Sequence, residues 1–177
     1  MGLRMLRSQV LIGMVISLVM AGSIGCSEES KASPSSKPSD LLGVTRLSGG
    51  CGATPIYQGG IPAWLEEADA HNNPSETAYV VASPEVAAGF LFANPLRAGK
   101  PENPANKILW VTRSVNRGAL RVVAHPIGSS SPIVTSDAMP ASPGYIYPSI
   151  VNVPSSGCWH LTLSWEGNHA DLDLRYL

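Results

Sequence analysis

The feature that most constrains the fold is a strict alternation of apolar and polar side chains near the C-terminus. Its apolar members are Trp159, Leu161, Leu163, Trp165, Ala170, Leu172, Leu174 and Tyr176. A period of two residues is typical of strands that bury one face. Because Gly167-Asn168 has the composition of a two-residue hairpin turn, the pattern predicts two antiparallel strands in which Glu166 pairs with His169. In this register Leu163 faces Leu172, and His160 faces Arg175.

Shorter apolar runs bounded by turn residues predict further strands upstream. These runs lie near residues 77–82, 107–114, 119–125, 132–135 and 145–153, and 86–93 is also interpreted as a strand, paired with 77–82. Helix is expected only as a short turn over 63–70, with Pro62 at its start. The 17 Gly and 15 Pro argue against a helical bundle. The sequence therefore predicts a mainly β domain over 41–177, an antiparallel Ig-like β-sandwich of about seven to nine strands.

The first 25 residues have the layout of a bacterial export signal. Arg4 and Arg7 precede an uncharged apolar run over 10–20, which is too short for a membrane span but typical of a secretory signal. The small residues that follow lead into Cys26 and resemble the lipobox of bacterial lipoproteins, although Ser23 departs from the usual Leu, Val or Ile. The resemblance implies a lipoprotein signal peptide over 1–25 and lipidation of Cys26. The alternative is cleavage after a small residue such as Ser23, which would leave a secreted protein.

Residues 26–40 are predicted to form a disordered tether that starts at the lipidated Cys26. The segment 27–40 contains Ser, Pro, Lys and Glu but no apolar residue larger than Ala, so it cannot bury enough apolar surface to fold. Acyl chains on Cys26 would attach the domain to a membrane on its extracytoplasmic side.

Two cysteines, Cys51 and Cys158, lie within the predicted domain. In an exported chain such an isolated pair is most simply a disulfide. A redox or metal-binding pair is the alternative, but the sequence contains no C-x-x-C spacing.

Three segments resemble a group of secreted bacterial lipoproteins of unknown function that have Ig-like domains. They are Asn106-Lys107-Ile108-Leu109-Trp110-Val111, Tyr147-Pro148-Ser149 and the run Val-Pro-Ser-Ser-Gly-Cys-Trp-His-Leu-Thr at 153–162. The similarity spans roughly residues 50–177. It implies an Ig-like sandwich and supplies no catalytic residue that this chain would inherit.

Composition and motifs limit the chemistry. With 12 basic and 13 acidic residues, the chain lacks the strongly positive surface of a typical nucleic-acid binder. No H-E-x-x-H, G-x-S-x-G or EF-hand spacing occurs. We therefore predict no enzymatic activity, no cofactor and no metal. A Ser/His/Asp triad assembled from distant residues remains an alternative, because such triads need no local motif.

The four histidines, His71, His125, His160 and His169, raise the question of a metal site. In the predicted register His169 faces Glu166, about 20 Å along the strand from His160, so these two histidines cannot share an ion. A polar row in contact with solvent is the favoured interpretation. The hypothesis of a metal site would become stronger than that of a purely structural role if the fold placed His125 and His160 together with a carboxylate.

Two other features suggest binding surfaces. Six basic residues lie close together in the sequence, at Arg97, Lys100, Lys107, Arg113, Arg117 and Arg121. These residues would form a positive patch for anionic partners only if the fold brought them together. We expect instead that alternating strands distribute them over both faces of the domain. The Gly-rich stretch 49–60, with Tyr57 and then Trp64, has the composition of a sugar- or peptide-binding loop but equally of a packed loop.

The leading functional hypothesis is a lipid-anchored interaction or ligand-binding module of the bacterial envelope. Its expected partners are the membrane, through the lipid anchor, and an envelope protein or cell-wall ligand. A structural envelope lipoprotein is the first alternative, and a metal-dependent or hydrolytic enzyme is the second.

Overall fold

A computed structural model of the chain describes residues 43–68, 76–115, 117–141 and 144–177. The predicted signal peptide, Cys26, the tether and His71 lie outside these residues. Within them the chain forms ten strands and one short helix. In order these are β1 (Val44–Cys51), β2 (Thr54–Gly59), α1 (Ala63–Glu67), β3 (Ala78–Val81), β4 (Ala87–Leu91), β5 (Lys107–Thr112), β6 (Leu120–Pro126), β7 (Val134–Ala138), β8 (Ile146–Ile150), β9 (Gly157–Trp165) and β10 (Asn168–Tyr176).

The strands form two antiparallel sheets that pack face to face. The larger sheet has the order β1-β2-β3-β4-β5-β8, and the smaller has the order β10-β9-β6-β7. This confirms the predicted antiparallel sandwich, including the pairing of β3 with β4. The strand number exceeds the seven to nine expected because the Gly-rich stretch 49–60 is not a loop. It contributes the end of β1 and all of β2, which pair as a hairpin with an irregularity between Leu47 and Cys51.

Large aromatic side chains fill the space between the sheets. Trp110, Tyr147, Trp159 and Tyr176 are at most 1% exposed. Their polar atoms are paired: Trp110 Nε1 donates to Ser149 Oγ at 2.9 Å, and the Tyr176 hydroxyl donates to a main-chain carbonyl at 3.2 Å. The alternation identified in the sequence is therefore the inner face of the β9–β10 hairpin.

A second apolar cluster covers much of the outer face of the larger sheet. It combines Tyr57, Tyr79 and Phe90 from the sheet with Trp64 and Leu65 from α1. The helix begins after Pro62, whose fixed φ suits this position, and it ends at Glu67, before the predicted Ala70. No helix within the described ranges is long and apolar enough to cross a membrane.

The β9–β10 hairpin exists as predicted, but its register was wrong. Trp165 pairs with Asn168, so the turn residues are Glu166 and Gly167, with φ of 39° and 80°. Two positive φ values match the type I′ turn that the right-handed twist of paired strands favours. Each residue of β9 therefore pairs with the β10 residue that lies two positions earlier in the sequence than the predicted partner. Such a shift keeps every side chain on its own face, so the apolar pattern could not detect it.

The structure contains the predicted disulfide between Cys51 and Cys158. Cys51 ends β1 in the larger sheet, and Cys158 lies at the start of β9 in the smaller one. The bond therefore links the two sheets. It also holds the β1–β2 turn against β10, where the candidate site begins.

Candidate functional site

The outward face of the smaller sheet carries mostly polar side chains on its four strands, with the half-buried Val123 of β6 among them. We call this surface the polar face. It consists of Arg121 and His125 of β6, Thr135 and Asp137 of β7, His160, Thr162 and Ser164 of β9, and His169, Asp171 and Asp173 of β10. These residues are half-buried or exposed, whereas the alternate residues of β9 and β10 are buried.

His160 is the centre of the polar face because both of its ring nitrogens lie near carboxylates. Nδ1 lies 2.8 Å from Asp173 Oδ1, and Nε2 lies 3.4 Å from Asp171 Oδ1. The observed register explains the first contact, since His160 is the direct cross-strand partner of Asp173. The predicted partner, Arg175, lies opposite Cys158 instead. The side chain of His160 is 34% exposed and that of Asp171 is 40% exposed, so solutes can reach the pair.

The β1–β2 turn fixes the carboxylate of Asp173. Its Oδ2 accepts a hydrogen bond from the backbone N–H of Ala53 at 3.3 Å, and its own N–H donates to Thr54 Oγ1 at 2.8 Å. Gly52 allows this approach, because a Cβ there would lie 1.9 Å from Asp173 Oδ2, and its φ is +54°. A carboxylate only accepts hydrogen bonds, so in the contact between the Asp173 carboxylate and His160 the proton lies on Nδ1 of the ring.

His125 lies beside His160 on the neighbouring strand. The two residues are direct cross-strand partners, and their ring centroids are 5.2 Å apart. Nδ1 of His125 lies 2.9 Å from the carbonyl oxygen of Ser129 and 3.1 Å from that of Pro126. Carbonyl oxygens only accept hydrogen bonds, so Nδ1 of His125 also carries a proton.

The hydroxyls of the polar face do not complete a catalytic triad. Thr162 donates its hydroxyl to Asp171 Oδ1 at 2.7 Å, and the same oxygen faces Nε2 of His160. In a Ser/His/Asp triad the atom beside Nε2 of the histidine is the oxygen of the nucleophilic hydroxyl, whereas here it is a carboxylate oxygen. Among the residues that the structure describes, His160 is therefore part of a carboxylate–imidazole–carboxylate row.

His169 precedes Asp171 by two residues on β10 and faces Ser164, not Glu166 as the sequence predicted. The carboxylate of Glu166 instead accepts the backbone N–H of Arg117 at 3.2 Å. Within the described ranges, no three His, Cys, Asp or Glu side chains converge as they stand in a way that could hold a metal ion.

The clustered basic residues lie on both sides of the sandwich. Arg121 belongs to the polar face. Lys107 lies over the ring of Phe92 at 4.7 Å, and Arg113 lies over the ring of Trp64 at 5.2 Å, both on the side of the larger sheet. The sandwich therefore separates charges that are close in the sequence.

Tyr57 and Trp64, which the sequence suggested as ligand-binding aromatics, are each only 8% exposed. The ring of Tyr57 packs 5.6 Å from that of Tyr79 in the outer apolar cluster. They act as packing residues for α1.

A cavity of about 260 Å³ opens at one end of the sandwich, lined by Ile56, Leu91, Leu96, Leu174 and Leu177, with Arg175 among its polar residues. No pattern in the sequence indicated this cavity. Its lining comes from both sheets and from the C-terminal residue, which lie far apart in the chain.

Sequence reasoning identified His125 and His160 but missed Asp171 and Asp173 as the partners of His160. The two-residue error in the hairpin register assigned these aspartates to Ser164 and Thr162. The sequence did contain a signal for the observed register. A turn made of Glu166 and Gly167, with the glycine in the second position, is also a two-residue loop.

No protein-family model matches this chain, and the curated proteins contain no match to it. Among solved structures the chain is similar to the X-ray crystal structure of a "Putative Lipoprotein from Bacillus anthracis". The TM-score is 0.43 and the sequence identity is 17%, over 68% of this chain and 99% of that one.

Proposed function

We propose that this chain is a lipid-anchored binding module of the bacterial envelope and that the polar face is its binding surface. The observation that carries the proposal is the row Asp171–His160–Asp173. Its side chains are held by hydrogen bonds on a rigid sheet yet remain partly exposed. Such fixed polar groups reduce the entropy lost when a ligand binds.

The polar face is a better candidate than the opposite side of the sandwich. On the larger sheet, α1 and its aromatic partners cover much of the outer surface with the chain's own residues. On the smaller sheet, Arg121, Thr135, Asp137 and His169 are exposed. An uncovered surface with charges of both signs is suited to polar ligands.

The anchor is inferred from the N-terminal sequence. The charged residues Arg4 and Arg7, the apolar run and Cys26 have the order of a lipoprotein signal. The disulfide between Cys51 and Cys158 supports the same compartment, because such bonds persist in oxidising, extracytoplasmic environments. The residues between Cys26 and β1 would serve as a tether that lets the domain reach its ligand.

A test of the function uses site-specific photocrosslinking in intact cell envelopes. A photoreactive residue replaces Thr135, which is exposed on the polar face. The matched control replaces Ile150, which is 54% exposed on the outer side of the other sheet. We expect a discrete adduct from position 135 that is absent from position 150 and is weakened by His160→Gln.

The anchor is tested in the same cells. Cys26→Ser should release the protein from the membrane fraction and abolish incorporation of labelled palmitate. Equal adducts at positions 135 and 150, or none at either, would contradict the assignment of the polar face. Unchanged membrane attachment of the Cys26→Ser protein would contradict the anchor.

A further inference from the structure

Strand β7 has an edge that no other described segment of the chain covers. It pairs with β6 through five consecutive residues in a regular register, and among the described residues no main-chain hydrogen bond joins it to any segment besides β6. A strand that is paired on one side only presents alternate N–H and C=O groups along its free edge. Pro132 and Pro140 bound this edge, and the seven residues between them include no Pro and no Gly. The edge of β7 can therefore accept a further strand.

Each of the other three sheet edges has a feature that opposes such pairing. The edge of β10 is occupied by Ser83, which exchanges two main-chain hydrogen bonds of 2.8 Å with Asp171. The edge of β8 contains Pro148, which has no N–H to donate. The register of β1 is irregular between Leu47 and Cys51. Covering segments, prolines and bulges are the means by which natural sheets prevent pairing at their edges. Strand β7, all of whose residues the structure describes, has none of them.

The residues along the free edge of β7 are self-complementary. They are two apolar, three polar and two apolar residues, in the order Ile133, Val134, Thr135, Ser136, Asp137, Ala138 and Met139. An antiparallel copy of the strand, related by a two-fold axis at Ser136, therefore places apolar residues opposite apolar residues and polar residues opposite polar ones. Ile133 and Met139 are 64% and 67% exposed, and in this register each faces the other across the axis. Pairing would remove both apolar side chains from water.

The same register also accommodates the charge on this edge. Asp137 of one copy faces Thr135 of the other, and the two-fold axis repeats this pair. The smaller sheet already contains a pair of this kind, because Thr162 and Asp171 are direct antiparallel partners whose hydroxyl and carboxylate hydrogen-bond at 2.7 Å. A shift of the register by two residues would oppose the two copies of Asp137, or would place Asp137 opposite Ile133. Like charges that face each other directly are destabilising, so the charge favours the register centred on Ser136.

We propose that β7 is the interface at which a second copy of this chain binds, antiparallel and with the two-fold axis at Ser136. The pair joins two four-stranded sheets into one sheet of eight strands, with both polar faces on the same side. This inference goes beyond the proposed function and does not depend on a ligand at His160. Seven residues per copy are far fewer than the about 20–30 residues a side of a standard interface. We therefore expect single copies and pairs to interconvert, so the pair must be trapped to be detected.

The test is disulfide trapping of the full chain in intact envelopes. Directly opposed residues of antiparallel strands have Cα atoms about 4.5–5.5 Å apart, within the range of about 4.4–6.8 Å that a disulfide spans. Under a mild oxidant, Ser136→Cys should therefore give a product of twice the monomer mass. Ser164→Cys, half-buried on the central strand β9, is the matched control and should give none. Copies of Thr135→Cys would lie diagonally, about 7–8 Å apart, and should give at least about fivefold less product than Ser136→Cys.

Charge variants in the Ser136→Cys background test the pairing of Asp137 with Thr135. Thr135→Lys places a positive charge opposite Asp137 of the other copy, and Thr135→Asp places a negative one. We expect the yield of trapped pairs to rise with Lys and fall with Asp by about two- to tenfold, because the axis repeats the pair. The same substitutions at Thr45, which is exposed on β1, should leave the yield unchanged.

Circular dichroism of every variant separates a loss of pairing from a loss of the fold. If Ser136→Cys does not fold, cells that express both Thr135→Cys and Asp137→Cys chains provide the same test, since these positions face each other in the proposed register. No trapped pair from a folded variant, or as much product from Ser164→Cys, overturns the inference. Changes of the same sign from Thr135→Lys and Thr135→Asp also overturn it.

The outcomes for this interface and for the proposed function are distinguishable. A crosslink between two copies has twice the monomer mass and should be unchanged by His160→Gln, whereas an adduct with a ligand should be weakened. Trapped pairs without a ligand adduct would contradict the binding surface and leave this interface standing. A ligand adduct without trapped pairs would contradict the interface alone.

Discussion

Replacing Asp173 with Asn should change the protonation pattern of His160 with little change in shape. In the native chain Asp173 accepts two hydrogen bonds, from His160 Nδ1 at 2.8 Å and from the N–H of Ala53 at 3.3 Å. An asparagine offers one acceptor oxygen and one donor group. Its oxygen can keep the bond to Ala53, and its NH₂ group then faces His160 Nδ1. The neutral ring is expected to move its proton to Nε2, where it can be donated to Asp171.

The cost in stability follows from the contacts that change. Hydrogen bonds to a charged group contribute about 1.5–3 kcal/mol each. The substitution converts both hydrogen bonds of residue 173 into neutral ones and leaves no donor or acceptor unpaired. The side chain of Asp173 is 16% exposed. We therefore expect the free energy of unfolding to fall by about 1–2 kcal/mol. The bond from the Asp173 N–H to Thr54 involves the main chain and should persist.

Nitrogen-15 NMR of the histidine rings measures the tautomer directly, and urea denaturation measures stability. The spectra are recorded at pH 9, and in the neutral ring we expect the proton on Nδ1 of native His160 and on Nε2 in the variant. Asp137→Asn is the matched control, because it removes one negative charge from the same face without facing a histidine. Protonation of Nε2 in the native chain at this pH, or an unchanged tautomer in Asp173→Asn, would contradict the role of Asp173 in placing the proton on Nδ1.

Three further predictions concern the scaffold. Replacing both Cys51 and Cys158 with Ala should lower the free energy of unfolding by up to about 4–5 kcal/mol in urea titrations, because the disulfide closes a loop of 107 residues; a loss below about 1 kcal/mol would contradict this. Compared with Glu166→Ala, which likewise removes the carboxylate that accepts the N–H of Arg117, Glu166→Asn should stabilise the hairpin by about 0.5 kcal/mol, since Asn tolerates positive φ; a clear loss relative to Glu166→Ala would favour the turn at Gly167-Asn168. Burial, and secondarily the neighbouring Tyr57, raises the pKa of Tyr79 to about 12. Because this exceeds the unfolded value of 10.0, its contribution to stability is full below pH 10 and is lost as the pH rises through 12. Tyr79→Phe should remove the corresponding late step from an ultraviolet titration of tyrosinate, and an unchanged titration would contradict the assignment.

The sequence predicted which side of each C-terminal strand is buried, and the structure confirms it. Trp159, Leu161 and Leu163 all point into the core. That prediction depends only on a period of two, which is a local property of the chain. The register depends instead on whether the turn holds Glu166-Gly167 or Gly167-Asn168. Both choices bury the same residues, so hydrophobic patterning could not decide between them.

The composition of the site could not be predicted, because it depends on contacts between distant segments. His125 meets His160 only because β6 lies next to β9, and this order is a property of the whole sandwich. Asp173 is fixed by Ala53 and Thr54 from a hairpin more than a hundred residues away in the sequence. That hairpin itself was interpreted as a loop, since glycines are depleted in strands. The sequence could identify histidines as candidates but not their partners.

We propose that ligands bind to the polar face at the Asp171–His160–Asp173 row. Photocrosslinking from position 135 in intact envelopes, compared between the native protein and His160→Gln, tests this proposal. We expect a discrete adduct from the native protein that is weakened by His160→Gln. An adduct of equal strength in the His160→Gln protein, or an equal adduct from position 150, would contradict the proposal.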